Sequence, residues 1–507
     1  MDKSSSTNEQ AFGSKIKLRI VKGGMIVLLL TILSSPVGYI LRITLSKMLT
    51  AEQYGLFYAL LGFFGMLALF NDLGFGYSVS YFIPKFIQKK NYEHVWLVYK
   101  YDQLIELGTS IIISIILFFS AGWLADNFFK VQEAKILIQI MTIYFVSNSF
   151  VSPIHKFYTG LQKPEYYSLI EPIRLVITLL MIAAMVFFQI SSLKYATAAW
   201  ALGYVAVGII FYLTLKKTTS FLPKILKWDK QLFSKMLGYA VPSLLSNSLS
   251  SIISYVDVFL LTIIMNVVAV GVYSVAYPIA AVSAILLSPF QLLVLPLVSQ
   301  LKEDSNAKVS TIVTHILIYI PVASLYFGLF TFMFASEIIT LLFGSSWIET
   351  AVEPLKVLSI GFTLTILASF LGTVTSGLGR IRSRLRIISF IVIVNLLLSA
   401  VLIYRMGIVG VAFSHVIIQL ITVTLYLKLI SSEVRIVFPY ASYMKLFTLS
   451  ALCIAFLLLI GSPYSYVRML VFGGIYTLFF FVGAFMLKII TREQIMFLFS
   501  RKVFNLS

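Results

Sequence analysis

GGMIVLLLTILSSPVGYILRITLSK, residues Gly23–Lys47, decides the fold class. About 20 predominantly apolar residues are needed to cross roughly 30 Å of hydrocarbon as a helix. This stretch meets that length with only Arg42 charged before its terminal Lys47. No small-residue cleavage site follows a short apolar core, so it reads as a retained helix and not as a signal peptide. Upstream, Met1–Ser14 is polar and rich in small residues, the composition of an unstructured tail.

The pattern repeats along the chain. Further apolar runs cover Tyr54–Ile83, Gln103–Ala125, Ile136–Thr159, Leu169–Ile190, Ala196–Leu215, Met236–Met265 and Val268–Leu301. Val309–Phe334, Val357–Ser376, Ile387–Tyr404, Ile408–Ile430, Leu446–Ile460 and Val467–Ile489 complete the series. Hydrophobic residues make up 59% of 507 positions and charged residues 12%, an excess that one aqueous globule cannot bury. The expected fold is therefore all-α and polytopic, with about 14 transmembrane helices. The lone Cys453 lies in an apolar run, which excludes an internal disulfide and points to plain packing.

The net charge of +19 does not indicate nucleic acid, because the cations form short clusters between apolar runs. Such clusters orient membrane helices. They are Lys15/Lys17/Arg19/Lys22, Lys85/Lys89/Lys90, Lys216/Lys217/Lys224/Lys227/Lys230, Arg380/Arg382/Arg384/Arg386 and Arg492/Arg501/Lys502. With the amino terminus inside, 31 of the 39 basic residues fall on cytoplasmic segments or helix ends. The other eight are Arg42, Lys47, Lys130, Lys135, Lys194, Lys356, Arg405 and Arg468. Both termini are expected in the cytoplasm of a multi-pass plasma-membrane protein.

Three short matches at equivalent helix ends suggest an internal repeat. Gly55-Leu56-Phe57 resembles Gly271-Val272-Tyr273; Gly160-Leu161 matches Gly377-Leu378; Phe211–Leu215 resembles Leu425–Leu429. Six helices per unit is an even number, so the two units run parallel about an axis along the membrane normal. The expected division is a tail at 1–18, an amino-terminal lobe at 19–216, a cytoplasmic linker at 217–235, and a carboxy-terminal lobe at 236–430. Two added helices and a tail occupy 431–507.

Polar residues inside the apolar runs mark the candidate site, since an ionised group at mid-bilayer costs about 2.5–3.5 kcal/mol on insertion scales. Ser243, Asn247, Ser250, Ser254 and Asp257 share one face of the seventh helix. Close helix packing accounts for the hydroxyls but not for the carboxylate. Aligned through the repeat, Arg42 of the first helix stands opposite Asp257. Asp72 is the deepest charge, following Asn71 and preceding Gly74 and Gly76. Arg174 lies just inside the fifth helix, spaced from Glu171 as an i,i+3 pair that can neutralise itself. Asp102 and Glu106 open the third helix. His94, His155, His315 and His415 lack metal-ligand spacing, and no Gly-rich phosphate loop precedes a Lys. No cofactor, metal or ATP hydrolysis is expected. Loops are too short to carry a catalytic domain, so an enzyme such as a polysaccharide polymerase or ligase is a remote alternative.

Leu49–Phe57 followed by Asp72-Leu73-Gly74-Phe75 resembles the L-x-x-E-x-Y-G-L-F … D-L-G opening of polysaccharide flippases. Tyr255-Val256-Asp257 with Val270–Tyr277 is similar to that family's D … V-G-x-Y-S-x-A-Y stretch, and Leu342–Ser345, Thr375–Arg380 and Met406–Ala412 also resemble family segments. The resemblance, from about residue 15 to 430, is to O-antigen (Wzx-type) flippases of the multidrug/oligosaccharidyl-lipid/polysaccharide exporter superfamily. It implies two lobes, a cationic central cavity and a lipid-linked oligosaccharide cargo, ordinarily on a polyprenyl pyrophosphate. Asp72, Asp257, Lys47 and Arg405 carry over by motif position. The expected headgroup contacts are Arg42, Lys47 and Arg174; Asp72, Asp257 and Asn247 are expected to line the cavity or bind H⁺ or Na⁺. Polysaccharide-assembly proteins are possible partners. The rival cargoes are those of a multidrug exporter or a lipid II flippase of the same superfamily.

Overall fold

The computed structural model describes residues 3–220, 227–460 and 466–489, with the side chains of 3–22, 28, 242, 245–251, 292, 304, 456–460 and 466–468 left aside. Of the residues singled out above, Asn247, Ser250, Lys15, Lys17, Arg19, Lys22, Lys224, Arg468, Arg492, Arg501 and Lys502 have side chains outside the described set. Among the described residues the chain forms helices and short connections, with no strand. The helices are α1 (Lys3–Met48), α2 (Ala51–Asn71), α3 (Phe75–Gln88), α4 (Tyr92–Leu124), α5 (Ala134–Gly160), α6 (Pro164–Tyr167), α7 (Ile170–Phe187) and α8 (Leu193–Thr218). They continue as α9 (Lys230–Ile264), α10 (Val267–Asp304), α11 (Asn306–Met333), α12 (Ala335–Leu342), α13 (Ile348–Gly377), α14 (Ile381–Ser431), α15 (Tyr440–Ile460) and α16 (Tyr466–Met486).

Eleven helical stretches among the described residues are long and apolar enough to cross a membrane, against about fourteen expected. The α14 stretch counts once, and α9 and α15 contribute only the shorter Ile252–Ile264 and Tyr440–Ala455. Outward-facing side chains such as Ile112, Ile116, Phe119 and Phe187 are exposed and apolar, as lipid requires. α14 is a helical hairpin. Its Gly407 adopts φ +61°, ψ −138°, which a side chain disfavours. The Ser399 and Ser414 hydroxyls then meet at 2.8 Å, whereas fifteen residues of straight helix would separate them by about 22 Å. A Cβ at Gly410 would stand 2.0 Å from the Leu402 carbonyl oxygen, so the two limbs touch backbone to backbone.

Three expectations need correction. The run Tyr54–Ile83 is not one helix: Leu73 (φ +48°) and Gly74 (φ +81°) break it after Asn71. The Asp72 carboxylate accepts the Gly74 N–H at 2.9 Å and fixes this turn. The third helix starts at Tyr92 instead of Gln103, because Val95–Tyr99 and Tyr101 are buried although Glu93, His94 and Lys100 lower local hydropathy. Asp102 and Glu106 are therefore interior residues. Finally, α1 begins at Lys3, so the polar tail is helical in backbone; no proline interrupts it before Pro36.

Packing groups the chain into two compact units, Met1–Gly271 and Val272–Ser507. Within the first, α9 rests on α2 and α3. Gly62 and Gly65 of α2 leave room for Val258 and Tyr255 of α9, close approach of the kind that holds membrane helices together. Within the second, α15 and α16 attach to α11. There the Tyr476 hydroxyl donates to the Tyr326 carbonyl at 2.9 Å, and Cys453 is buried among Leu449, Tyr476 and Phe480.

Asp229 starts α9 outside the spanning segments. One carboxylate oxygen accepts the Gln231 and Leu232 N–H groups at 2.9 and 3.0 Å; the other lies 3.2 Å from His94 Nε2. The Leu232 N–H, foremost among these contacts, holds the Asp229 carboxyl below its ordinary value. Replacing Asp229 with Ala is expected to cost about 0.5–2 kcal/mol at neutral pH, toward the lower end because the side chain is one-third exposed. A depressed carboxyl stabilises above its unfolded pKa of about 3.9 and stops doing so as pH falls through the folded value. Melting curves of the two proteins should therefore differ at pH 7 and converge in acid.

Candidate functional site

The break after α2 sets up the site. Asn71 is buried, and its amide donates to Ser149 Oγ of α5 at 2.7 Å and to the Glu106 carbonyl of α4 at 3.3 Å. Thr109 of α4 returns a hydrogen bond to Asn71 Oδ1 at 3.0 Å. These bonds fix the end of α2 between α4 and α5 and aim Asp72 at both. Asp102 and Glu106, one turn apart on α4, face the same way.

Lys156 of α5 occupies the space between them. Its ammonium donates to Glu106 Oε2 at 2.7 Å and Asp72 Oδ2 at 2.8 Å, and lies 3.7 Å from Asp102 Oδ1. Asp102 is fully buried, and Glu106 nearly so. Gly76 makes the room: a Cβ there would stand 2.6 Å from Lys156 Cε and 2.7 Å from Asp72 Oδ2. A cavity of about 360 Å³ opens beside the cluster, lined by Asp72, Tyr77, Glu106, His155, Lys156 and Leu244 among others. The sequence reading missed Lys156, because a lysine four residues before a helix end has the appearance of an orientation signal. The signal that was available is the i,i+4 pair Asp102 and Glu106 within a long apolar segment, which demands a buried cation nearby.

The expected site residues with described side chains are spread over several helices. Arg42 of α1 is half-buried, its guanidinium carbon 4.5 Å from the Tyr58 ring centroid. Lys47 is exposed in the last turn of α1. Asp257 is buried on α9, between Tyr255 and Val258, which meet α2. Arg405 is exposed in the α14 hairpin.

Arg174 is almost wholly buried on α7. Nε and Nη2 donate to the two Glu171 oxygens at 2.8 and 2.5 Å. The guanidinium stacks 4.4 Å from Trp200 and 4.6 Å from Tyr204 of α8. The expected i,i+3 pair is thus present, while Nη1 is buried without a hydrogen bond. Glu171 itself is more than half exposed, so the pair links the interior to the surface.

A polytopic helical membrane protein with several buried charges in its first unit is the class that this architecture defines. Residues 20–302 match the family described as polysaccharide biosynthesis protein, and the chain belongs to that family. It is 24% identical over 418 residues to an uncharacterized membrane protein, MJ1068, of Methanocaldococcus jannaschii, covering 79% of this chain and 82% of that one. Its fold is similar to that of the lipid II flippase MurJ in an inward closed conformation, with TM-score 0.72 and 16% identity over 91% of this chain and 98% of that one. It is also similar to an inward-facing multidrug resistance MATE family transporter of the MOP superfamily, with TM-score 0.68 and 15% identity over 81% and 98%.

Proposed function

We propose that the chain flips a lipid-linked oligosaccharide, borne on a polyprenyl pyrophosphate, from the cytoplasmic to the outer leaflet of the plasma membrane for polysaccharide biosynthesis. The observation that carries this reading is the family match over residues 20–302, on a fold shared with a lipid II flippase. A sugar and a pyrophosphate cannot cross hydrocarbon without a polar path, whereas the isoprenoid tail is at home in lipid. Parallel repeats at 19–216 and 236–430 that rock against each other provide alternating access.

In this reading Arg42 and Lys47 meet the phosphates. Arginine suits that task because its planar fork bonds bidentately and stays charged. Arg174 serves only after exchanging Glu171 for phosphate, since the carboxylate holds two of its nitrogens here. Asp72 and Asp257, with Asn247, couple movement to H⁺ or Na⁺. The basic asymmetry supports cytoplasmic termini. Lipid II is the second reading for the cargo, favoured by the fold likeness to MurJ.

Complementation of a flippase-deficient strain, with analysis of the glycan that reaches the surface, tests the cargo. Replacing Arg42 with Ala should reduce surface glycan about tenfold or more with membrane insertion intact, because a charge-assisted hydrogen bond is worth roughly 1.5–3 kcal/mol. Unchanged output from that variant removes Arg42 from the pathway.

A further inference from the structure

The cavity beside Lys156 is lined by groups that the ion pairs do not use. α5 presents Asn148, Ser152, His155 and Thr159 to it. They are spaced 4, 3 and 4 residues apart and so share one helix face. That face belongs to a spanning segment, Ala134–Gly160, where polar side chains are kept for a partner or a water-filled path. From α3 comes Tyr77, which is 41% exposed.

Hydrogen bonding sorts these groups. Thr159 donates back to the His155 carbonyl at 2.9 Å, and Lys156 spends its ammonium on Asp72 and Glu106. Among the described residues, by contrast, the Asn148 amide and the Tyr77 hydroxyl make no hydrogen bond. An amide offers donors and an acceptor together, and a tyrosine joins an apolar ring face to a polar tip. A sugar has the matching chemistry: hydroxyls that both donate and accept, and a ring face of C–H groups that packs on an aromatic. The volume of about 360 Å³ falls at the small end of the roughly 300–1,000 Å³ usual for small-molecule sites. It suits a sugar ring and not a whole oligosaccharide.

Charge decides which sugar. Two lining carboxylates, Asp72 and Glu106, stand against the single ammonium of Lys156, a formal balance of −1. A uronic acid would bring a further carboxylate to a place where the lysine is already bonded twice, and like charges away from bulk water repel strongly. A phosphate is disfavoured here for the same reason.

We propose that this cavity is a saccharide subsite for an uncharged sugar ring, with Asn148 bonding its hydroxyls, Tyr77 packed on its C–H face, and Asp72 with Glu106 excluding uronic acids. The subsite deepens the flippase reading and rests on it only for the claim that the sugar belongs to a lipid-linked cargo.

Saturation-transfer NMR on the full-length protein, in a detergent without a sugar head, tests binding with glucose, N-acetylglucosamine and glucuronate as probes. At least one uncharged sugar should show saturable transfer, and glucuronate at equal concentration should show none. Asn148→Leu and Tyr77→Ala should each weaken binding about tenfold, as expected when a hydrogen bond or ring contact is lost. The comparison of probes on the wild type holds even where a variant fails to fold. Neither uncharged sugar binding, glucuronate binding equally well, or a folded variant of either kind binding like the wild type overturns the proposal. Sugar binding with failed complementation would keep the subsite and remove the flippase reading; complementation without sugar binding would do the reverse.

Discussion

Replacing Lys156 with Ala is expected to destabilise the folded protein by about 3–5 kcal/mol, because it strips the cation from two buried carboxylates and one partly buried one. The loss is dominated by the groups left behind, not by the bonds removed. Asp102 and Glu106 are almost wholly inaccessible to water and cannot recover solvation where they stand. The structural consequence should be local to the first unit, where α2, α4 and α5 meet at this point. Thermal unfolding of purified variants, read by the loss of the monodisperse peak on size exclusion, measures it. A rescue experiment separates charge from shape: adding Asp72→Asn, Asp102→Asn and Glu106→Gln to Lys156→Met should restore much of the stability, since neutral isosteres need no ammonium. If Lys156→Ala melts like the wild type, the cluster is not the electrostatic anchor described here.

Replacing Gly74 with Ala should cost about 2–5 kcal/mol, for two reasons that add. The residue stands at φ +81°, where a Cβ meets its own backbone. The same Cβ would lie 2.3 Å from the Ala240 carbonyl oxygen and 2.9 Å from the Leu244 Cβ, both on α9. Neither neighbour is the flexible end of a side chain, so α9 or the α2–α3 turn must move. Movement of that turn carries Asp72 with it, since its carboxylate is tied to the Gly74 N–H. Asp72 would then leave Lys156. Low yield of folded protein, with the remainder melting early, is the expected result; a glycine-like melting curve for Gly74→Ala would show that the turn is not strained by a side chain.

Membership in the helical membrane class was legible in the chain because lipid imposes length and apolarity on every crossing segment, a constraint visible residue by residue. The Glu171–Arg174 pair and the break between the runs Ile387–Tyr404 and Ile408–Ile430 were legible for the same reason, each being local in sequence. The Asp72-Leu73-Gly74 motif could be seen, but not that it breaks a helix, since a run of apolar residues hides a change in φ. Lys156 was the larger omission. Its importance comes from partners 50, 54 and 84 residues away, and a lone cation near a helix end reads as an orientation signal until those partners are placed around it.

The sequence by itself determined that the chain is a polytopic helical membrane protein and, apart from the break after Asn71 and the true start of α4, where its long apolar helices run. Only the tertiary structure decided which of the chain's charges meet. Hydropathy is a property of single segments, whereas ion pairing depends on how α2, α4 and α5 are turned toward one another, and that rotation is set by packing contacts such as Asn71 on Ser149 and Gly76 against Lys156.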